Sequence, residues 1–212
     1  FTKVTGLKQT ASGGWIVTTD KGEIECDIVV NAAGYRAGEV MAMLGRPLPI
    51  VAMSHQYLVT EPVDDLIGRE HKLPLLRDPD ISYYLRQERD GLILGPYEAK
   101  ATVHWQDGIP DQFAHQLFDD DTDRLEKYIE DACRRLPQLG TVGIKRVING
   151  PIPYAPDGNP LIGPAPGLPG FFHCTAFTFG IAQAGGGGKI IAEWVVNGHP
   201  EWDVWPLDSR RY

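Results

Sequence analysis

The chain has 212 residues, a formal net charge of −8 and a hydrophobic content of 42%, and its isoelectric point is about 5.2. The acidic balance argues against nucleic acid as the main partner, because such binding depends on neutralising phosphates. No run of about 18 apolar residues is present and the first residues lack a signal-peptide pattern, so we expect no membrane partner.

Residues 1–46 have the pattern of β structure followed by a short helix. The β-branched run Trp15–Thr19, a turn at residues 20–22 and the alternating residues 23–26 predict a hairpin. An apolar run over residues 28–30 then ends in the sequence Asn-Ala-Ala-Gly, which is typical of a strand buried on both faces of a parallel sheet. Apolar side chains at helical spacing predict a short helix over residues 36–45.

The sequence pattern of residues 47–152 differs from that of residues 1–46 and predicts an antiparallel lobe. A strand is expected over residues 54–60. Two further runs, 81–87 and 92–97, flank a turn at residues 89–91 and predict a hairpin. Helical spacing predicts a helix over residues 120–136, and a last strand is expected over residues 144–155.

Residues 153–198 return to α/β character. A turn at 157–160, a short strand at 161–163 and a buried strand at 171–176 precede a glycine-rich turn over residues 179–188. A helix is predicted over residues 189–196, and residues 199–212 are expected to form a tail. The glycines either let a planar or anionic ligand approach the backbone or simply permit close packing of helix on sheet. The predicted fold class is therefore α/β (α+β), with 1–46 and 153–198 in one lobe and 47–152 inserted as a second.

Several longer strings resemble a known family. They occupy residues 28–34 (IVVNAAG), 55–57 (HQY), 83–98 (YYLRQERDGLILGPYE), 144–151 (IKRVINGP), 156–167 (PDGNPLIGPAPG), 179–186 (FGIAQAGG) and 205–208 (WPLD). They are similar to FAD-dependent amine oxidoreductases, the family of D-amino-acid oxidase and sarcosine oxidase, and in particular to its dimethylglycine and sarcosine dehydrogenases. The family's Gly-x-Gly-x-x-Gly loop is not found here, and the chain opens on Phe1 rather than Met. We therefore expect a middle fragment that holds the substrate lobe and the flavin-ring side of a Rossmann-like FAD lobe.

The resemblance implies oxidative demethylation of an N-methyl amino acid such as dimethylglycine or sarcosine, with hydride transfer to flavin N5. FAD is the implied cofactor, and tetrahydrofolate would enter only through a region downstream of this chain. Oxygen or an electron-acceptor protein would take the electrons, in the cytoplasm or, in a eukaryote, the mitochondrial matrix. Two alternatives remain open: another amine or amino acid on the same scaffold, of the glycine or D-amino-acid oxidase type, and a non-catalytic amine-binding lobe.

The resemblance places His55 at the substrate pocket, where a neutral amine requires a group that takes or holds a proton. Strand alternation puts His55 and Tyr57 on one face, and one of Tyr83 and Tyr84 faces the pocket. Each of these residues could instead be an ordinary part of the sheet. The expected catalytic residues are His55, Tyr84 and Tyr97, and the expected substrate contacts are Arg86, Tyr83 and Tyr57. Arg86 would clamp the substrate carboxylate, with Arg77, Arg89 and Arg146 as alternatives.

The resemblance also implies the cofactor contacts, at the end of the parallel strand and at the start of the returning helix. These residues are Ala33, Gly34, Phe179, Gly180, Ile181, Ala182 and Gln183. No metal site is expected, because the histidines lack partners at metal-ligand spacing. The three cysteines, Cys26, Cys133 and Cys174, are odd in number and far apart, which favours a reducing compartment over a disulfide framework.

Overall fold

The computed structural model describes residues 2–212, so Phe1 of the predicted first segment lies outside the described residues. The chain forms two compact units. The terminal unit contains the described residues up to Met53 together with Val103–Asp111 and Ile152–Tyr212, and the inserted unit contains Ser54–Thr102 and Gln112–Pro151. The units differ from the predicted division at residues 47–53 and 103–111, which lie in the terminal unit. Residues 103 and 104 join it because they pair with Met53 and Ala52.

The terminal unit contains two three-stranded sheets. The first is an antiparallel meander of β1 (Val4–Gln9), β2 (Trp15–Thr19) and β3 (Gly22–Cys26), which confirms the predicted hairpin over residues 15–26. The second has the order β11-β12-β4, formed by Leu161–Pro164, Phe171–Thr175 and Val29–Asn31. β4 runs parallel to β12, as the wholly apolar run predicted. The rings of Trp15 and Phe171 are fully buried and lie 5.3 Å apart in the core of this unit.

Two helices accompany these sheets, the short α1 (Ala37–Ala42) and the long α3 (Gly180–Asn197). The prediction of a glycine-rich turn over residues 179–188 was wrong, because α3 begins at Gly180 and continues through the glycines. Packing explains this, since a Cβ on Gly187 would lie 2.7 Å from the ring of Phe177. Glycine costs about 1 kcal/mol in a helix interior, so the close contact has to offset that penalty.

The segment predicted as a tail, residues 199–212, packs back on the terminal unit. Short 3-10 turns at Trp205–Leu207 and Ser209–Arg211 bury Asp208 and Ser209. Arg211 donates to both carboxylate oxygens of Asp157, each at 2.9 Å, and so fastens this segment to the turn at residues 157–160. Sequence periodicity gave no sign of this packing because the segment has no repeating element.

The main sheet of the chain has the strand order β10-β5-β8-β7-β6, with β9 paired to β5. Its strands are β5 (Val51–Thr60), β6 (Leu76–Asp78), β7 (Tyr83–Glu88), β8 (Gly91–Pro96), β9 (Val103–His104) and β10 (Ile144–Tyr154). The predicted hairpin is confirmed: β7 pairs with β8 in a regular antiparallel register that sets Tyr84 opposite Gly95. The predicted helix is also confirmed as α2 (Thr122–Arg135).

In the inserted unit, α2 covers one face of this sheet. The core between them contains Leu58, Tyr83, Leu85 and Leu94 from the strands, and Leu125 and Ala132 from the helix. Alternation along the strands therefore places the neighbouring side chains on the face that α2 does not cover. We call this the tyrosine face, and it carries His55, Tyr57, Arg77, Tyr84 and Arg86, together with Tyr97, which follows β8 and contacts Tyr84.

Candidate active site

Three aromatic and cationic side chains lie together on the tyrosine face. The ring of Tyr84 lies over Gly95, where the absence of a Cβ leaves room for it. Tyr97 follows β8, and its ring centroid lies 5.8 Å from that of Tyr84. The guanidinium carbon of Arg77 lies 4.6 Å from the centroid of the Tyr97 ring, on its face. The sheet register thus assembles a compact group from three strands.

The phenol of Tyr84 is held in its protonated form. Burial raises the pKa of Tyr84, and the neighbouring Tyr97 and Tyr57 raise it further against the opposing effect of Arg86. A phenol with a raised pKa donates a hydrogen bond at neutral pH. Tyr57, Tyr84 and Tyr97, all predicted from the sequence, are therefore brought together, and Tyr84 is suited to bind a lone pair or a carboxylate oxygen.

Tyr83 does not belong to this group. Its side chain is fully buried on the opposite face of β7, in the core beneath α2. Alternation allows only one of two adjacent strand residues to face a given side, and the register assigns the tyrosine face to Tyr84. This placement removes Tyr83 from the residues that we propose to contact substrate.

The structure also separates the candidate arginines. The expected clamp, Arg86, forms an ion pair with Glu88 two residues along the same strand, with Nη1 and Oε2 2.7 Å apart. Arg89 and Arg146 line a different cavity, near Thr60 and Lys145. Arg77, which we expected only as an alternative to Arg86, stacks on Tyr97 among the tyrosines. Arg77 is accordingly the better placed cation for a carboxylate that lies on the tyrosine face.

His55 lies on β5 with Tyr57 and is largely buried. Its Nδ1 lies 3.6 Å from Oε2 of Glu98, whose side chain is only 3% exposed. Burial lowers the pKa of His55; Glu98 opposes this shift, and the nearby Arg124 adds to it. The imidazole is therefore neutral at neutral pH and able to accept a proton.

Sequence reasoning missed two residues at this site, Glu98 and Arg124. Glu98 comes directly after Tyr97, and Arg124 lies in the first turn of α2, which the sequence predicted only as part of a helix. Their side chains meet at 3.3 Å between Glu98 Oε1 and Arg124 Nε. The two residues are 26 positions apart in no recognisable pattern, so only the folded chain brings them together.

The cofactor residues predicted from the resemblance lie in the terminal unit. Gly34 follows β4 with a positive φ of 58°, and its carbonyl accepts a hydrogen bond from Thr175 Oγ1 at 3.2 Å. At the start of α3, Gln183 Oε1 accepts the backbone N–H of Phe179 at 3.3 Å and so fixes the first turn. Ile181 is 99% exposed. Ala33, Gly180 and Ala182 complete the predicted set at the ends of these two elements.

The glycines of α3 give a test of whether this surface suits a cofactor. A Cβ added at Gly180, Gly185, Gly186 or Gly188 would meet no atom of residues 2–212 within 4 Å. The same holds for Gly34, where the positive φ by itself favours glycine. Packing within the chain therefore does not require these glycines, unlike Gly187. Gly180 leaves bare backbone at the N-terminus of α3, which suits a planar or negatively charged group.

Two further properties of residues 2–212 concern metal binding and membrane crossing. No group of three or more histidine, cysteine, aspartate or glutamate side chains in this range is arranged to hold a metal ion. In the same range, no helix combines the length and the hydrophobicity that crossing a bilayer would require.

Known proteins resemble this chain in sequence and in fold. Residues 1–194 match the family model described as DAO, FAD dependent oxidoreductase. Mitochondrial dimethylglycine dehydrogenase from Mus musculus is 41% identical over 214 residues, covering 99% of this chain and 25% of the relative. Mitochondrial sarcosine dehydrogenase from the same organism is 42% identical over 208 residues, covering 98% and 22%. The chain thus spans about a quarter of the length of these relatives.

Among solved structures, L-proline dehydrogenase from P. horikoshii superimposes with a TM-score of 0.81 at 26% identity. The match covers 99% of this chain and 53% of that structure. The predicted mixed fold and the predicted resemblance are therefore confirmed. The chain belongs to the DAO family of FAD-dependent oxidoreductases.

Proposed function

We propose that this chain supplies the substrate side of an FAD-dependent enzyme that oxidises an N-methyl amino acid, such as dimethylglycine or sarcosine. The names of the relatives that are 41% and 42% identical support this substrate class. The observation that carries the proposal is the largely buried, neutral imidazole of His55 on the same sheet face as Tyr57 and Tyr84. The proposal assigns proton handling to His55 and substrate orientation to the tyrosines and Arg77.

His55 has the properties of a proton acceptor for this reaction. An alkylamine is an ammonium ion in neutral water, and its nitrogen must lose a proton before the neighbouring carbon can give up a hydride. The lowered pKa of His55 keeps the imidazole neutral and ready to take that proton. Glu98, with Oε2 3.6 Å from His55 Nδ1, faces the imidazolium that results.

Tyr84 and Arg77 suit the carboxylate of an amino acid. The protonated phenol of Tyr84 can donate one hydrogen bond, and the guanidinium of Arg77, which stacks on Tyr97, is a cation with several N–H donors. A carboxylate held by these two groups would place the adjacent amine near other residues of the tyrosine face. Arg86, already paired with Glu88, is the weaker candidate.

The residues of the terminal unit suit the flavin. Ala33, Gly34 and residues 179–183 would hold it against bare backbone, where a Cβ on Gly34 or Gly180 would meet no atom of residues 2–212 within 4 Å. When bound, FAD supplies the acceptor for the hydride that leaves the carbon next to nitrogen. The N-terminus of α3 would stabilise negative charge on a reduced cofactor. Electron transfer to oxygen or to an acceptor protein, any use of tetrahydrofolate, and a cytoplasmic or matrix location stay predictions.

The test is anaerobic reduction of the protein, prepared with whatever sequence its gene supplies on either side of these residues. We expect flavin absorbance that bleaches on addition of dimethylglycine or sarcosine. Trimethylglycine is the matched control ligand, since its quaternary nitrogen has no lone pair, and we expect it to leave the bands unchanged. A His55→Asn variant should bleach about 10²-fold more slowly, in line with the usual contribution of general base catalysis.

Three other outcomes would contradict parts of the proposal. Bleaching by proline or glycine, but not by N-methyl amino acids, would keep the scaffold and reject the substrate class. Flavin bands that no amine bleaches would favour a non-catalytic amine-binding lobe. A protein that shows no flavin bands even with added FAD would overturn the assignment of the terminal-unit residues to the cofactor.

A further inference from the structure

Glu98 is a buried carboxylate that one residue of β5 and one residue of α2 hold in place. Its Oε2 accepts the backbone N–H of Gln56 at 3.2 Å, and its Oε1 accepts the side-chain N–H of Gln56 at 3.3 Å. Arg124 Nε lies 3.3 Å from Oε1. Glutamate is almost never fully buried unless it is paired, so the position of this carboxylate is specified by its partners.

Arg124 links Glu98 to the first turn of α2 and to β5. Its Nη1 donates to Ser54 Oγ and to Thr102 Oγ1, both at 3.0 Å. Its Nε also lies 3.1 Å from Asp121 Oδ2. Asp121 occupies the N-cap position of α2, yet its side chain makes no capping hydrogen bond and faces Arg124. Asp121 thus pairs with Arg124 instead of capping the helix.

Gln56 closes the network from the sheet. Its side chain donates to the Asp121 carbonyl at 2.7 Å and accepts the Asp121 N–H at 3.2 Å. Gln56, the residue that follows His55 on β5, therefore binds both Glu98 and the start of α2. The backbone that carries His55 cannot shift along the strand without breaking these bonds.

Stability alone does not account for this arrangement. Replacing a buried ion pair by apolar side chains is often neutral or stabilising, because desolvation costs about as much as the attraction returns. The buried Nε and Nη2 of Arg124 form no hydrogen bond within residues 2–212, although Nε lies within ion-pair distance of Glu98 and Asp121, so the network is incompletely satisfied. What the network does provide is a fixed carboxylate beside His55.

We propose that Glu98 is a positioning residue for His55, fixing the imidazole on the tyrosine face and stabilising its protonated form. The inference rests on the proposed function, in which His55 takes a proton from the substrate amine. In that step the N–H bond of the ammonium breaks and a bond from the proton to the imidazole forms, so a positive charge moves to His55. Glu98 is the anion placed to compensate that charge.

The pKa of His55 depends on burial and on two charged residues. Glu98 and Arg124 are the charged residues that act on the pKa of His55, and Asp121 faces Arg124 from the other side. Glu98 raises the pKa of His55, while burial and Arg124 lower it. Removing the Glu98 charge therefore lowers the pKa of His55 further and makes the imidazole a weaker base.

The test uses Glu98→Gln, which keeps the size of the side chain and one of its two acceptor oxygens but removes its charge. The first readout is the titration of the His55 imidazole by ¹H–¹⁵N NMR, assigned by the signal lost in a His55→Asn variant. We expect the midpoint to move to lower pH in E98Q. The second readout is kcat/KM for the N-methyl amino acid, expected to fall about tenfold or more, with its acidic limb displaced in the same direction.

Two further variants make the result specific. Glu126→Gln removes a carboxylate from the exposed side of α2, and we expect it to leave both readouts unchanged. Glu98→Asp keeps the charge but withdraws it by one methylene, so both readouts should lie between those of the native protein and E98Q. If E98Q does not fold, E98D decides the question, since a midpoint equal to the native one would overturn the proposal.

The outcomes separate the two proposals. The NMR titration requires neither flavin nor substrate. A lowered His55 midpoint in E98Q without any amine turnover in the native protein would support the placement of Glu98 and reject the proposed function. Native turnover with an E98Q titration and pH profile that match the native protein would retain the function and overturn the role of Glu98.

Discussion

Gly95 on β8 gives the sharpest test of the tyrosine face. In Gly95→Ala the new methyl group would lie within the space of the Tyr84 ring, overlapping Cζ, Cε1 and the hydroxyl oxygen. These are atoms at the far end of a side chain, so the ring moves rather than the backbone. The φ angle of Gly95 is not positive, so alanine introduces no backbone strain there.

The structure allows the effects on stability and on activity to be separated. Overpacking costs about 1–3 kcal/mol, and replacing glycine by alanine returns about 0.4–1 kcal/mol through the unfolded chain. Because Tyr84 is only partly buried and can swing outward, we expect a net loss of about 1 kcal/mol. A ring displaced by about 1 Å or more from its position over Gly95 should reduce kcat/KM by about 10²-fold.

The assays are urea unfolding and steady-state turnover of an N-methyl amino acid. Gly143→Ala is the matched control in the same unit, because its Cβ would meet only Glu61 Cγ at an ordinary 3.5 Å. A Tyr84→Phe variant separates the hydroxyl from the ring. If G95A folds normally and retains native kcat/KM, the position of the Tyr84 ring is irrelevant to the reaction and our reasoning fails.

The remaining predictions concern pH and packing in the terminal unit. Burial lowers the pKa of His173 to about 4, against about 6.5 in an unfolded chain, so the unfolded state binds more protons between these values. The free energy of unfolding should accordingly fall by about 2 kcal/mol as the pH drops from about 7.5 to 5, and urea titrations should show a flatter dependence in His173→Gln. Equal slopes in the two proteins would contradict this. Asp157→Asn leaves the guanidinium of Arg211, a side chain only 7% exposed, without its charged partner. We expect a loss of about 1–2 kcal/mol and faster proteolysis of the last residues, followed by mass spectrometry, and unchanged cleavage would refute the anchoring role. In α3, Gly188→Ala has open space and should raise the free energy of unfolding by about 1 kcal/mol, whereas Gly187→Ala should not, because its methyl group collides with an aromatic ring. Thermal unfolding that shows equal gains for both variants would be inconsistent with this packing.

Elements with local signals could be predicted from the sequence. The turn at residues 89–91 between two apolar runs predicted the β7–β8 hairpin, and helical spacing predicted α2 to within two residues of its bounds. The wholly apolar run before Asn31 predicted a parallel strand, which pairs with β12. Such signals succeed because turn chemistry and side-chain period act between residues that are close in sequence.

The site residues also divide into those that the sequence predicted and those that only the fold could identify. Resemblance and strand alternation named His55, Tyr57, Tyr84 and Tyr97, and the sheet brings the three tyrosines together. The choice of Tyr84 over Tyr83 required the register, because a shift of one residue exchanges the two faces of a strand.

Only the tertiary structure decided the features that depend on distant contacts. The glycine run lies within α3, where Phe177 packs against Gly187 and excludes a side chain there. The last residues pack on the turn at residues 157–160 through the contact of Arg211 with Asp157. Glu98 meets Arg124 only once the end of β8 and the start of α2 lie side by side. None of these contacts has a local sequence signature, since each joins side chains whose separation along the chain is set by the fold and by no repeating period.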